Sequence, residues 1–183
     1  MIIKKNKIKN KSFTLVEIMV TITIFSLIFG VVSSMFASAI KAQRKSLFSQ
    51  ELLSQTSYIM EYMGRYLRMA RKDTNPSCLS VAGNYEVING GNGIRFLSYE
   101  EPPRCWEFYL NGGRLMRKIS GTEEYLTSDK FEVEKFAINL IEGDQKQPRI
   151  TLSLKMKGTG GRPEEQPVIE IQTTISQRNL NVE

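Results

Sequence analysis

The chain reads Lys11-Ser12-Phe13-Thr14-Leu15-Val16-Glu17 near its start and continues with twenty-three residues, 18–40, that carry no charge. A helix rises about 1.5 Å per residue, so roughly 20 residues cross the hydrocarbon core of a membrane. The segment therefore predicts one membrane span. Five lysines lie between residues 4 and 11, and by the positive-inside rule they predict a cytoplasmic N-terminus and an exported remainder.

Glu17 is the unusual residue of this segment, because a carboxylate at the mouth of an apolar span is costly. One interpretation gives it a function in the membrane. The other makes it an interfacial side chain that is solvated by headgroup water. Its placement alone leaves both interpretations open.

The run Ser-Phe-Thr-Leu-Val-Glu ahead of an apolar helix resembles the cleavage and methylation signal of type IV prepilins and of type II secretion pseudopilins. In that family a membrane peptidase removes the basic leader, methylates the new N-terminus and leaves the helix as anchor and assembly domain. The resemblance implies that Ser12 ends the leader, that Phe13 becomes the methylated N-terminus and that Glu17 guides assembly. Family leaders usually end in glycine, so Ser12 is a departure that predicts slower cleavage.

A second cleavage signal competes with this one. Ala37-Ser38-Ala39 has the small-x-small form that an ordinary signal peptidase recognises. We reject it because the apolar run before it is longer than the roughly 7 to 15 residues of a secretory core, and because Glu17 lies near its start. Cleavage is expected between Ser12 and Phe13.

Charge and composition argue against catalysis and against a nucleic-acid footprint. The net charge of +6 falls to +1 when the five leader lysines are removed, so the basic balance belongs mainly to the leader. Histidine is absent from the sequence, which excludes histidine-based triads and metal sites. We predict a protein that is not an enzyme and has no cofactor.

Residues 41–72 predict a continuation of the helix in water, with apolar side chains recurring at helical spacing. These are Phe48, Leu52, Ile59, Met63, Tyr66 and Ala70. The run Asp73-Thr74-Asn75-Pro76 supplies turn chemistry and a residue that cannot continue a helix. The predicted domains are a leader at 1–12, a transmembrane and assembly helix at 13–40, its amphipathic second half at 41–73 and a β-rich extracytoplasmic head at 74–183.

The head predicts antiparallel strands divided by glycine-rich turns. The strands are expected at 85–88, 94–99, 105–110, 114–119, 131–141, 150–157 and 168–176. Turns are expected at residues 89–93 and 111–113. The predicted fold class is α+β and pilin-like, with the long helix packed on an antiparallel sheet.

The head also contains two candidate sites. Cys78 and Cys105 are the only cysteines, and an even count in an exported domain predicts a disulfide, with two buried thiols as the alternative. Calcium could be held by acidic groups of the loops, although no spacing forms a dedicated oxygen cage and solvated loops are the favoured interpretation. The acids concerned are Glu123, Glu124, Asp129, Glu142 and Asp144.

Together these features predict a structural subunit of a type IV pilus or a type II secretion pseudopilus. Its partners would be other pilin or pseudopilin subunits, the prepilin peptidase and the inner membrane. The large irregular head and the absence of proline from the apolar helix favour a minor subunit, located at the filament tip.

Two alternatives stay open. The first is a plain membrane-anchored binding module, which would keep its leader. The second is a DNA-binding pilin, whose groove would be built from Arg95, Arg104, Trp106 and Arg114 on neighbouring strands. Scattered surface arginines are the favoured account of that set, and no nucleic-acid partner is expected.

Overall fold

The computed structural model describes residues 13–143, 146–160 and 166–178. The chain forms two compact units, divided between Arg44 and Lys45. One α-helix, α1, runs without interruption from Leu15 to Arg68 and contributes to both units. The sequence predicted such a helix from the charge-free run 18–40 and from the helical spacing of apolar residues after it.

The first unit is the N-terminal part of α1. All side chains from residue 13 to residue 39 are exposed, including large apolar ones such as Phe25, Phe29 and Phe36. Burying apolar surface is the main favourable contribution to folding, and these side chains bury little in a single chain. The helix therefore requires an apolar surrounding.

The second unit packs residues 45–68 of α1 against antiparallel sheets, so the fold is α+β and pilin-like, as predicted. The described residues contain nine strands. They are β1 (Ala70–Arg71), β2 (Tyr85–Ile88), β3 (Gly93–Ser98), β4 (Cys105–Asn111), β5 (Arg114–Ile119), β6 (Thr122–Tyr125), β7 (Phe131–Gly143), β8 (Lys146–Gly158) and β9 (Val168–Ser176).

The strands form two sheets. The first has the order β1-β3-β4-β5-β6, with β2 also pairing β3, and the second has the order β7-β8-β9. The glycine-rich segments make the turns that the sequence predicted: Asn89–Gly91 lies between β2 and β3, and Gly112 and Gly113 lie between β4 and β5. Both glycines of the second turn have positive φ angles, which side chains with a Cβ rarely adopt.

The core lies between α1 and the two sheets. Leu52, Ile59 and Met63 of the helix are fully buried, together with Phe96 and Phe108 of the first sheet. The second sheet contributes alternate residues of β8, because successive strand residues point to opposite faces. These are Ile150, Leu152, Leu154 and Met156, each at most 1% exposed.

The helix is shorter than predicted at both ends. It begins at Leu15 rather than Phe13 and ends at Arg68 rather than near Asp73. Ala70 and Arg71 form β1, which pairs with Ser98 and Leu97 of β3. Backbone pairing with a distant strand thus outweighs the local helical pattern.

Candidate processing and assembly site

The N-terminus of α1 is built by Thr14 and Glu17. The Thr14 hydroxyl accepts a hydrogen bond from the Glu17 backbone N–H, at 3.3 Å. This is the N-cap geometry that satisfies one of the free N–H groups of a helix start, and Glu17 stands at position N3 of the sequence pattern Thr-x-x-Glu. The pattern Thr-x-x-Glu before an apolar run is the sequence signal for this cap, and it was missed in predicting a helix start at Phe13.

Glu17 is exposed in the first turn of α1, where a carboxylate also interacts favourably with the positive end of the helix dipole. Phe13 precedes the cap and is 73% exposed. Ser12 lies outside the described residues. The structure therefore places two of the three residues implied in processing and assembly at the start of one helix.

Most hydroxyls of the apolar segment donate to backbone carbonyls of the same helix. Ser26 donates to the carbonyl of Ile22 at 2.8 Å, and Ser38 donates to that of Ser34 at 3.0 Å. Thr21 and Thr23 bond back to the preceding turn in the same way. The segment presents an apolar surface to its surroundings, with the Glu17 carboxylate at its N-terminal end.

The helix is long and apolar enough to cross a membrane by length and composition. A family model for the prokaryotic N-terminal methylation motif matches residues 7–33. The chain carries the type IV prepilin signal. No curated protein and no solved structure matches it.

This prepilin signal points to a structural protein rather than an enzyme. It also implies, in general terms, processing by a prepilin peptidase and assembly with other pilin subunits. The apolar N-terminal helix fits a single-pass membrane anchor of a pilin-type protein.

Cys78 and Cys105 form a disulfide, in agreement with the prediction from the cysteine count. The bridge ties the loop after β1 to the first residue of β4. Beside it, the Asp73 carboxylate accepts hydrogen bonds from the backbone N–H groups of Ser77 at 2.9 Å, Cys78 at 2.9 Å and Leu79 at 3.1 Å. The turn that ends the helical region is thus held by one buried acid and one covalent bond.

The pKa of Asp73 reflects two opposing causes. Burial by itself would raise it, because an ionised carboxyl loses hydration. The backbone donors from Cys78, Ser77 and Leu79 together outweigh this effect and hold the pKa of Asp73 below its usual range. Asp73 is therefore a charged structural group, whereas the sequence predicted only that it belongs to a turn.

The residues that the DNA-binding alternative would need do not form a groove. Trp106 is 3% exposed and stacks on Tyr66, with ring centroids 4.1 Å apart, so no base can reach its ring. Arg95 pairs with Glu107 at 2.9 Å and with Glu86 at 3.4 Å, and Arg114 lies over the Tyr125 ring. Trp106 is therefore part of the core, and Arg95 and Arg114 contact neighbouring side chains instead of lining a groove.

The acids considered for calcium are engaged elsewhere or lie apart. Glu123 pairs with Lys118 at 3.3 Å, and Glu124 forms an ion pair with Arg117. Both belong to strand β6 rather than to the predicted loop. Asp144 lies outside the described residues, and within the part that the structure describes no cluster of three or more metal-ligating side chains occurs.

Proposed function

We propose that the chain is a minor pilin or pseudopilin subunit. A prepilin peptidase cuts it between Ser12 and Phe13, and the mature subunit joins a type IV pilus or a type II secretion pseudopilus. The methylation motif at residues 7–33 carries this proposal. The basic leader keeps the N-terminus in the cytoplasm, and the head lies on the other side of the inner membrane.

Glu17 acts between subunits in this proposal. Cleavage before Phe13 creates a positive α-amine four residues before Glu17, and methylation keeps its charge at neutral pH. Either charge alone is costly in a helix bundle without water. A Glu17 carboxylate that faces the Phe13 amine of the neighbouring subunit satisfies both charges, so the pair favours one axial register.

Glu17 also occupies the N3 position of the sequence pattern Thr-x-x-Glu, where a glutamate or glutamine side chain can cap the helix, so the test separates the charge from this capping role. Glu17→Gln keeps a side-chain oxygen that can accept the hydrogen bond of a capping box but removes the charge. Glu17→Ala removes both, and Glu17→Asp shortens the reach of the carboxylate. All three variants are expected to insert and to be processed.

We expect Glu17→Ala and Glu17→Gln to be lost from filaments and Glu17→Asp to be impaired. Each variant is expressed with the other filament components, and its share in sheared fibres is measured against its membrane level. Glu51→Gln, which removes an exposed carboxylate from a later turn of α1, is the matched control. Wild-type incorporation of Glu17→Gln would disprove the charge pair and leave Glu17 as a capping residue.

A further inference from the structure

Strand β9 has an open edge. It is the last strand of the sheet β7-β8-β9, and among the described residues no strand pairs with its outer side. The Gln177 N–H donates to the Pro148 carbonyl on the β8 side at 3.5 Å, and the register between the strands is continuous from there. Because backbone groups alternate along a strand, Gln172, Thr174 and Ser176 direct their N–H and C=O groups to the open edge.

A backbone hydrogen bond at the end of β9 confirms which residues face the open edge. The N–H of Arg178, two residues after Ser176, points away from β8 and donates to the Arg68 carbonyl at 2.8 Å. The open edge of β9 therefore runs toward the C-terminal end of α1. Its free donors and acceptors form a template for one more strand.

Two of the other outer edges, β6 and β7, carry features that discourage pairing, and β9 does not. Strand β6 has four residues and two glutamates. Strand β7 has a register shift between Val133 and Lys135. Short length, charge and bulges all protect an edge from another chain. Strand β9 has nine residues, no proline and a single charged residue, Glu170.

A cleft of about 580 Å³ lies between α1 and β9. Met60, Gly64 and Ile175 contribute to its walls, and a Cβ at Gly64 would make an ordinary contact of 3.5 Å with Ile175 Cδ1. Strand and helix line the same cleft at this glycine, so the open edge of β9 lies beside the exposed face of α1.

The charge of the cleft is positive. Arg65, Arg68 and Arg178 line it together with one acid, Glu61. Glu61 pairs with Arg65 at 3.1 Å on the exposed face of the helix. Neither Arg68 nor Arg178 makes an ion pair with any described residue. The cleft thus offers two guanidinium groups to an incoming anion.

We propose that β9 and this cleft bind an extended, acidic segment of another protein, which adds to β9 as a further strand. Backbone hydrogen bonds to Gln172, Thr174 and Ser176 supply the pairing, and the arginines select carboxylate side chains. A second copy of this chain would bring its own basic cleft to the contact, so like charges oppose self-pairing through β9. The surface contains neither Glu17 nor Phe13, and binding there does not depend on filament assembly.

Binding is measured with the full-length chain in detergent micelles. The probe is a fluorescently labelled, end-blocked peptide of alternating valine and threonine, in which glutamate replaces two of the threonines. Fluorescence anisotropy measures its binding to the chain. The comparison peptide has lysines in place of the glutamates. We expect the acidic peptide to bind at least about tenfold more tightly and to slow hydrogen exchange at the Gln172, Thr174 and Ser176 amides.

Two pairs of variants test the mode of binding. Gln172→Pro removes one N–H from the open edge without touching the β8 ladder, whereas Gln172→Ala keeps it. We expect affinity to fall roughly tenfold for the proline variant and to persist for the alanine variant. The double variant Arg68→Gln and Arg178→Gln should remove the preference for the acidic peptide, while Arg104→Gln, on an exposed loop, should retain it.

Three results would overturn the proposal. The first is equal binding of the acidic and basic peptides. The second is binding that Gln172→Pro leaves unchanged. The third is self-association of the chain that Gln172→Pro abolishes while the peptide fails to bind, which would make a second copy the occupant of β9.

Discussion

At the scale of single residues, Asp73 connects the end of the helical region to the disulfide loop. It is 2% exposed, and its carboxylate accepts three backbone hydrogen bonds. A buried acid with that many donors stabilises the fold as an anion, so its contribution to the free energy of unfolding depends on pH.

We expect Asp73→Asn to lower the free energy of unfolding by about 1 to 3 kcal/mol at neutral pH, because a neutral amide accepts these hydrogen bonds less strongly. The folded pKa is depressed, so the contribution is fully present above the unfolded pKa of about 4 and disappears as the pH falls through the folded pKa. Urea unfolding of the full-length chain in micelles, followed by the fluorescence of buried Trp106, measures this effect.

The exposed Asp129→Asn is the matched control for Asp73 and should change little. The difference in the free energy of unfolding between wild type and Asp73→Asn should become smaller in acid. A difference that stays constant from pH 7 to pH 3 would contradict the role of the ionised carboxylate.

Gly158 offers a second prediction at this scale. A Cβ at this residue would lie 2.3 Å from Phe48 Cε1 and 3.1 Å from Pro167 Cδ. The Phe48 ring stacks on Phe131 with centroids 5.6 Å apart, so moving it away costs packing. We expect Gly158→Ala to lower the free energy of unfolding by about 1 to 3 kcal/mol in the same urea assay.

Gly160→Ala is the control for that substitution, because its Cβ would lie 3.7 Å from the same ring, an ordinary contact. If the two alanine variants prove equally stable, the close approach of Gly158 to Phe48 is not the constraint that the structure indicates.

At the scale of elements, the disulfide between Cys78 and Cys105 joins the loop after β1 to β4 across 27 residues. A crosslink of this length restricts the unfolded chain and contributes roughly 3 to 4 kcal/mol on the chain-entropy model. We expect the variant with serine at both positions to unfold at a lower urea concentration. A reductant should also lower the urea concentration at which the wild type unfolds, and it should leave that of the double serine variant unchanged.

Mass analysis of the exported protein without reductant tests the bond itself. We expect a mass two hydrogens below that of the reduced chain and no thiol that iodoacetamide alkylates. Two alkylated cysteines in the unreduced protein would refute the bridge.

At the scale of the whole molecule, the position of the mature N-terminus distinguishes a processed pilin subunit from a released head and from an uncut membrane anchor. We expect the N-terminal peptide of the membrane-bound protein to begin at a methylated Phe13 when a prepilin peptidase is present, since the motif at residues 7–33 includes this position. Mass spectrometry of the N-terminal peptide measures it. Ser12→Gly, which restores the usual leader end, should be cut faster.

Other N-termini would change the interpretation. A mature chain beginning at Ile40 would mean that an ordinary signal peptidase cuts after Ala39 and releases the head. An intact Met1 in the presence of the peptidase would favour a plain membrane-anchored module.

The sequence by itself determined the features that depend on neighbouring residues. The charge-free run after Glu17 predicted the long helix, glycine clusters predicted the two turns, and alternation predicted β8. Leu52, Ile59 and Met63 were correctly placed on the buried face of α1 by their helical spacing. Such signals are local, because a few consecutive residues contain the whole period of a helix or a strand.

Only the tertiary structure decided the features that depend on distant partners. Ala70 leaves the helical pattern because Ser98 of β3 offers a backbone partner, and Trp106 is withdrawn from the surface by Tyr66. The open edge of β9 likewise depends on which strand lies beside it. Each outcome rests on contacts between residues far apart in the chain, and a local pattern contains no information about them.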